Sequence, residues 1–60
     1  MTCKDSNGTE LLVSDAVMYI DCKGNEIEGM VTELLDGNKI KIDCEDGEII
    51  IDAAMTFQLP

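Results

Sequence analysis

Residues 26–34 read Glu-Ile-Glu-Gly-Met-Val-Thr-Glu-Leu, and this stretch decides the fold because acidic and apolar side chains alternate along most of it. Successive side chains of a β-strand point to opposite faces, so a period of two predicts a strand with one buried face and one acidic face. The expected inward positions are Ile27, Gly29 and Val31, and the expected outward positions are Glu26, Glu28, Met30 and Thr32.

Gly29 stands at an inward position of this predicted strand. A glycine inside a strand pattern is typical of a place where two backbones approach closely or a sheet bends sharply. We therefore expect the sheet to curl tightly at Gly29. We also expect Gly29→Val to unfold the domain, because the added side chain would collide with the opposite wall.

Apolar runs on both sides of residues 26–34 predict further strands. Residues 16–20, Ala-Val-Met-Tyr-Ile, are rich in β-branched and aromatic side chains and end in a turn at residues 22–25. After a hairpin loop at residues 35–39, the alternation resumes over residues 39–43, and Asp46-Gly47 is the strongest two-residue hairpin signal. Residues 49–51 form the next strand, with Ile50 outward. Asp52 is the expected N-cap of one helical turn, and Phe57 and Leu59 alternate in a short closing strand.

The turns near residues 24, 37 and 47 recur at a spacing of roughly 10–13 residues, which is typical of an all-β barrel or sandwich. Five strands with a single helical turn before the last one predict a five-stranded SH3-like barrel over residues 13–60. Residues 1–12 are expected to be a flexible leader and strand entry, since residues 1–9 show no apolar periodicity. The predicted core consists of Val17, Tyr19, Ile27, Val31, Leu34, Ile40, Ile42, Ile49, Ile51 and Phe57.

The first half of this region resembles a known group of small barrels. Residues 13–19, Val-Ser-Asp-Ala-Val-Met-Tyr, precede a turn at residues 23–25 and the segment Glu-Gly-Met-Val at residues 28–31. This order is similar to the start of Tudor-like and KOW-like barrels, in which hydrophobic-Gly-Asp-x-Val leads through a Gly-rich turn into a Gly-x-Val strand. Ser14 stands where that family usually has Gly. The match continues from Asp52 to Leu59.

The resemblance implies a role in binding other macromolecules. Tudor-like barrels commonly capture methylated Lys or Arg in a cage of several aromatic rings, whereas this chain has only Tyr19 and Phe57, both expected to pack in the barrel. A Tudor-like reader of modified peptides is the second alternative interpretation. KOW-like relatives bind RNA or ribosomal and transcription proteins through basic faces, which this chain lacks, so contact with proteins is what carries over.

The charge balance restricts the partners. Among 60 residues, 13 Asp and Glu stand against 4 Lys, with no Arg or His, giving a formal net charge of −9. Affinity for nucleic acid comes largely from Lys and Arg displacing counterions from phosphates, so we expect no direct DNA or RNA binding. A basic protein surface is the expected partner, since complementary charge steers association. The alternative is a nucleic-acid mimic of the phage or mobile-element type that inhibits a host nucleic-acid-binding protein.

The residue types present favour no catalytic chemistry. Without His or Arg, and with no Ser beside a plausible base, nucleophilic triads and phosphate clamps cannot be assembled, so we expect no enzyme and no cofactor. Cys3, Cys22 and Cys44 form no C-x-x-C pair, and we interpret them as reduced thiols of a cytoplasmic protein with no metal site. Neither a signal peptide nor a membrane span is predicted.

The predicted function is therefore non-catalytic protein binding through an acidic face, by a monomer or weak homodimer. The candidate binding residues occupy outward strand positions or hairpin tips, and they are Asp21, Glu26, Glu28, Met30, Asp43, Asp46 and Glu48. Met18 and Ile50 are expected to add apolar contacts at the centre of that face together with Met30.

Overall fold

The computed structural model describes residues 1–60 and contains seven short strands and one turn of 3-10 helix. The strands are β1 (Cys3–Lys4), β2 (Glu10–Leu11), β3 (Ala16–Ile20), β4 (Glu26–Leu35), β5 (Lys39–Cys44), β6 (Gly47–Asp52) and β7 (Thr56–Gln58). The 3-10 turn, Ala53–Met55, lies between β6 and β7. The prediction of an all-β chain with one helical turn before the last strand is confirmed.

Five strands form one antiparallel sheet in the order β6-β5-β4-β3-β7, while β1 and β2 pair separately. Strands β3 to β6 are joined as a meander, and the 3-10 turn returns the chain so that β7 pairs with β3. Asp52 caps this turn, since its side chain accepts a hydrogen bond from the Ala54 backbone N–H at 3.0 Å. β6 and β7 are the two edges of the sheet, and no pairing between them closes it.

A β-bulge in β4 changes the phase of the strand. Val31 lies opposite Ile42 and Glu33 lies opposite Lys41, so Thr32 is an extra residue. After the bulge, Leu34 pairs with Ile40, which is buried. Strict alternation from Val31 would have turned Glu33 inward, and the bulge instead brings Leu34 to the core face.

The core is small, and its fully buried apolar residues are Cys3, Leu11, Val17, Val31, Ile40, Ile42 and Ala53. Tyr19, Leu34, Ile49 and Ile51 pack partly buried against it, as predicted. The prediction of Phe57 as a core residue is wrong, because Phe57 pairs with Met18 on the other face of the sheet and is 38% exposed. Thr56, the preceding residue, is buried in its place.

The N-terminal segment belongs to the packed structure. Cys3 and Leu11 are fully buried and are directly paired between β1 and β2. The Cys3 thiol lies 3.4 Å from the Lys39 carbonyl oxygen and 3.5 Å from that of Leu35. β1 and β2, with the buried Cys3 and Leu11, thus lie in residues 1–12, the segment predicted to be a flexible leader and strand entry.

Two local predictions concern glycines. A Cβ atom built on Gly29 would lie 3.0 Å from both the Asp43 carbonyl oxygen and the Cys44 Sγ, so a side chain at this position would collide, as predicted. The collision is with the directly paired strand β5, where the prediction had the opposite wall of a barrel. The β5–β6 hairpin also exists, but its register differs from the prediction. Cys44 pairs with Gly47, so the loop residues are Glu45 and Asp46, while Gly47 begins β6 with φ +115°.

Candidate binding face

The antiparallel register places five of the seven predicted site residues on one face of the five-stranded sheet. Met30 lies opposite Asp43, and Asp43 lies opposite Glu48, so these three side chains form a row across β4, β5 and β6. Glu28 and Glu26 precede Met30 by two and four positions along β4 and share its face. We call this side, opposite the core, the outer face. All five of these residues are exposed.

Apolar side chains are interleaved with these carboxylates. Met18 lies between Glu28 on β4 and Phe57 on β7, while Ile20 lies opposite Glu26. On β6, at the edge of the sheet, Ile50 shares the outer face with Glu48 and lies opposite Lys41. The exposed fractions of Ile20, Met30 and Ile50 are 44%, 45% and 59%. Apolar side chains next to charges are what a mixed protein interface requires.

Ile20 and Phe57 belong to this face but were not among the predicted site residues. For Ile20, the signal was present in the sequence, since it follows the outward Met18 by two positions in the same predicted strand. For Phe57, local alternation with Leu59 could not tell which face is buried. Only the pairing of Phe57 with Met18 shows that it shares the outer face.

The carboxylates of the outer face are largely unpaired. The single ion pair of the chain joins Lys41 Nζ to Glu33 Oε1 at 3.4 Å. Glu26, Glu28 and Asp43 accept no side-chain hydrogen bond, whereas Glu48 lies 3.4 Å from the Thr32 hydroxyl. Unpaired carboxylates can exchange water for a cationic partner without first breaking an internal contact.

Asp21 lies outside this arrangement and stabilises its own turn. Its side chain accepts hydrogen bonds from the backbone N–H groups of Asn25 at 2.8 Å and Lys23 at 2.9 Å. The hydrogen bond from the Asn25 backbone, aided by that from Lys23 and by the Asn25 side chain, holds the pKa of Asp21 below its usual value despite partial burial. These contacts explain the aspartate as a turn residue.

Asp46 helps to line a shallow hollow at the end of the sheet, with a volume of about 280 Å³. The six residues that line the hollow are Glu26, Ile27, Glu28, Cys44, Glu45 and Asp46. Burial, with a contribution from nearby Asp43 and Asp46, raises the pKa of the Cys44 thiol. Burial and the nearby Cys44, Asp21 and Asp46 also raise the pKa of Tyr19. Both groups are therefore neutral at pH 7, and the protonated thiol is a poor nucleophile.

Two other chemistries find no support in this geometry. No group of three or more His, Cys, Asp or Glu side chains is arranged to hold a metal ion. Tyr19 lies opposite Thr56 and Met18 lies opposite Phe57, so the two aromatic rings project from opposite faces of the sheet. They cannot form one aromatic cage around a methylated cation.

Comparison with protein-family models, curated proteins and solved structures finds no match to this chain. The resemblance to Tudor-like and KOW-like barrels therefore stays a prediction from residues 13–31 and 52–59. The chain contains no helix with the length and apolar character needed to cross a membrane.

Proposed function

We propose that this protein is a non-catalytic binding module whose outer face engages a basic surface of a partner protein. The observation that carries the proposal is the interleaving of unpaired carboxylates with exposed apolar side chains on one face of a sheet. The residues proposed to make contact are Met18, Ile20, Glu26, Glu28, Met30, Asp43, Glu48 and Phe57.

The two kinds of side chain have different roles in this proposal. The net charge of −9 attracts a basic partner over a distance of about one Debye length, roughly 8 Å at physiological salt, and thereby accelerates encounter. Met30, Phe57 and Ile20 then lose contact with water, which supplies affinity in proportion to the apolar area covered. Specificity follows because Lys and Arg side chains of the partner must lie against the carboxylates that stand between these apolar residues.

An SH3-like architecture is part of the proposal. The support is the sheet order, in which a four-stranded meander is followed by a 3-10 turn and a last strand that pairs with the first strand of the meander. The close approach of β5 to Gly29 and the bulge at Thr32 also support it, because glycines and bulges are features by which sheets bend and coil.

The proposal is tested by exchanging one carboxylate at the centre of the outer face and one far from it. Glu28→Lys and Glu10→Lys change the net charge equally, but Glu10 lies on β2, outside the five-stranded sheet. With a partner captured from the native host and then purified, we expect Glu28→Lys to slow association about tenfold more than Glu10→Lys at low salt. Equal effects of the two substitutions would contradict an outer-face site.

The salt dependence gives an independent readout. Association of the wild-type chain should slow as NaCl rises from about 0.01 to 0.15 M, while the dissociation rate changes little. An association rate that is flat over this range argues against charge steering. If duplex DNA or RNA displaces the chain from its partner, the interpretation as a nucleic-acid mimic is favoured over binding at a separate basic surface.

A further inference from the structure

The two edges of the five-stranded sheet differ in their hydrogen bonding. At the β7 edge, the Thr56 carbonyl oxygen accepts a hydrogen bond from the Ser6 backbone N–H at 2.9 Å. The Gln58 backbone N–H donates to Asp5 Oδ2, also at 2.9 Å. The N-terminal segment therefore covers this edge and satisfies polar groups that would otherwise face solvent.

The β6 edge has no such cover. Every second residue of an edge strand directs its backbone N–H and C=O away from the sheet. None of the hydrogen bonds outside the strand ladders involves the backbone of residues 47–51, and β6 pairs only with β5. Ile50 at the centre of this strand is 59% exposed, and Ile49 and Ile51 on the core face are only partly buried.

We propose that β6 is a docking edge, at which an extended basic segment of the partner adds as a sixth strand. This inference rests on the proposed function and names the part of the partner that the chain recognises. Addition of a strand would satisfy the free backbone groups of β6, and the side-chain alternation of the edge would supply specificity.

The side chains of β6 define the complementary sequence. Glu48, Ile50 and Asp52 lie on the outer face, opposite Asp43, Lys41 and Lys39 in the register with β5. Ile49 and Ile51 face the core, opposite Ile42 and Ile40. An antiparallel segment of the form basic-apolar-any-apolar-basic places its cations across from Glu48 and Asp52. Its two apolar side chains cover Ile49 and Ile51 and extend the small core.

A second copy of this chain is a poor occupant of the same edge. Pairing β6 with itself in antiparallel register brings Glu48 of one copy against or beside Asp52 of the other, and like charges across strands are destabilising. The Asp52 carboxylate is already held by the Ala54 backbone N–H and the Asn38 amide, so it cannot turn away freely. Each copy also carries a net charge of −9.

The experiment uses three peptides, each acetylated at the N-terminus and amidated at the C-terminus, and the full chain labelled for NMR. The first peptide is Lys-Val-Thr-Val-Lys, the second is N-methylated at Thr, and the third is N-methylated at both Val residues. In strand addition only alternate peptide N–H groups face β6. One methylated peptide should therefore bind at least tenfold more weakly than the parent, while the other binds nearly as well.

The NMR titration locates the contact. We expect shift changes and slowed amide exchange in residues 47–52 on binding of the parent peptide. Equal binding of all three peptides, with shift changes at Glu28 and Met30, would overturn strand addition and leave the proposed outer-face function standing. Absence of binding by all three peptides would overturn the docking edge, while the outer-face function is judged separately by the Glu28→Lys comparison. Pairing of two β6 strands without peptide would also overturn the proposal.

A matched pair of variants checks the charge complementarity. Glu48→Lys and Glu10→Lys change the net charge equally, and both replace exposed side chains. Binding of Lys-Val-Thr-Val-Lys should weaken about tenfold more in Glu48→Lys than in Glu10→Lys. Folding of each variant is verified by its amide spectrum, and equal weakening in both would show that only overall charge matters.

Discussion

At the scale of single residues, the buried carboxylate of Asp5 connects the N-terminal segment to the last strand. It is 5% exposed, and it accepts hydrogen bonds from the backbone N–H groups of Asn7, Thr9 and Gln58, each at 2.9 Å. Burial by itself raises the pKa of Asp5, but these three hydrogen bonds outweigh it and hold the pKa below its ordinary value of 3.8. The charge is therefore stabilised by directed dipoles, with no cation beside it.

Asp5→Asn should destabilise the fold at pH 7 by about 2 kcal/mol, because an amide replaces one acceptor oxygen and leaves a buried N–H unsatisfied. The folded-state pKa of Asp5 is lower than the unfolded-state value. Its contribution is thus present above about pH 3.8 and is lost as pH falls through the folded-state pKa. In urea unfolding, the difference in free energy of unfolding between wild type and Asp5→Asn should therefore shrink as the pH falls below the folded-state pKa. Asp36→Asn, at an exposed position, is the control. A difference in free energy of unfolding between wild type and Asp5→Asn that does not change with pH would refute the role of the charge.

Gly29 is required by contact with the neighbouring strand, and its backbone is not left-handed. A Cβ there meets Asp43 O and Cys44 Sγ at 3.0 Å and Ile42 Cδ1 at 3.3 Å. We expect Gly29→Ala to cost about 1–3 kcal/mol and Gly29→Val to cost more. The loss for Gly29→Ala should shrink in a Cys44→Ala background, which removes one of the contacts. A Gly29→Ala midpoint equal to wild type in urea would contradict this account.

At the scale of elements, β1 packs against the five-stranded sheet at the loop between β4 and β5. Cys3 enters the core, and the Lys4 backbone N–H and carbonyl exchange hydrogen bonds with the Asn38 side chain. Asn38, with φ +61°, also accepts the Ala53 backbone N–H at its carbonyl, so this loop residue joins β1 to the 3-10 turn.

Removal of residues 2–5, which joins Met1 to Ser6, should destabilise the chain by at least about 3 kcal/mol, because it deletes the buried Cys3 and Asp5 side chains. Removal of the exposed Thr2 alone is the matched control and should change stability little. Chemical unfolding followed by circular dichroism measures both. If the longer deletion behaves like the control, the segment is a dispensable leader after all.

At the scale of the whole molecule, acidic side chains far outnumber basic ones in a small domain. The radius of gyration is 10.1 Å, and one ion pair is present among 13 acidic and 4 basic side chains. Repulsion among exposed carboxylates is therefore a destabilising contribution that binding of a basic partner would relieve. A chain of 60 residues has little other stability to offset it.

Raising NaCl from about 0.01 to 0.15 M should stabilise the fold by screening this repulsion. A gain of about 1 kcal/mol corresponds to a rise in Tm of about 4–8 °C for a domain of this length. A variant combining Glu26→Gln, Glu28→Gln and Asp43→Asn should show a smaller rise. Scanning calorimetry measures both, and a Tm that falls with added salt would contradict the repulsion.

The sequence by itself determined strands β3 to β7 and the acidic outer face, because both depend on local alternation. Residues 26–34 show the period of two directly, and pairing of Met30, Asp43 and Glu48 follows once each strand has its expected phase. Local patterns could not settle the phase change at Thr32 or the exposure of Phe57, since both depend on which residue of a neighbouring strand lies opposite.

Only the tertiary structure decided that the N-terminal segment packs and that one sheet edge stays open. The hydrogen bond between Asp5 and Gln58 spans 53 positions in the chain, and no short window of sequence contains both partners. From the sequence alone, the polar residues around Asp5 are typical of a flexible leader. They are ordered because Asp5 and Ser6 form hydrogen bonds with the backbone of β7. The open edge at β6 likewise follows from the absence of such a partner in space, which side-chain periodicity does not record.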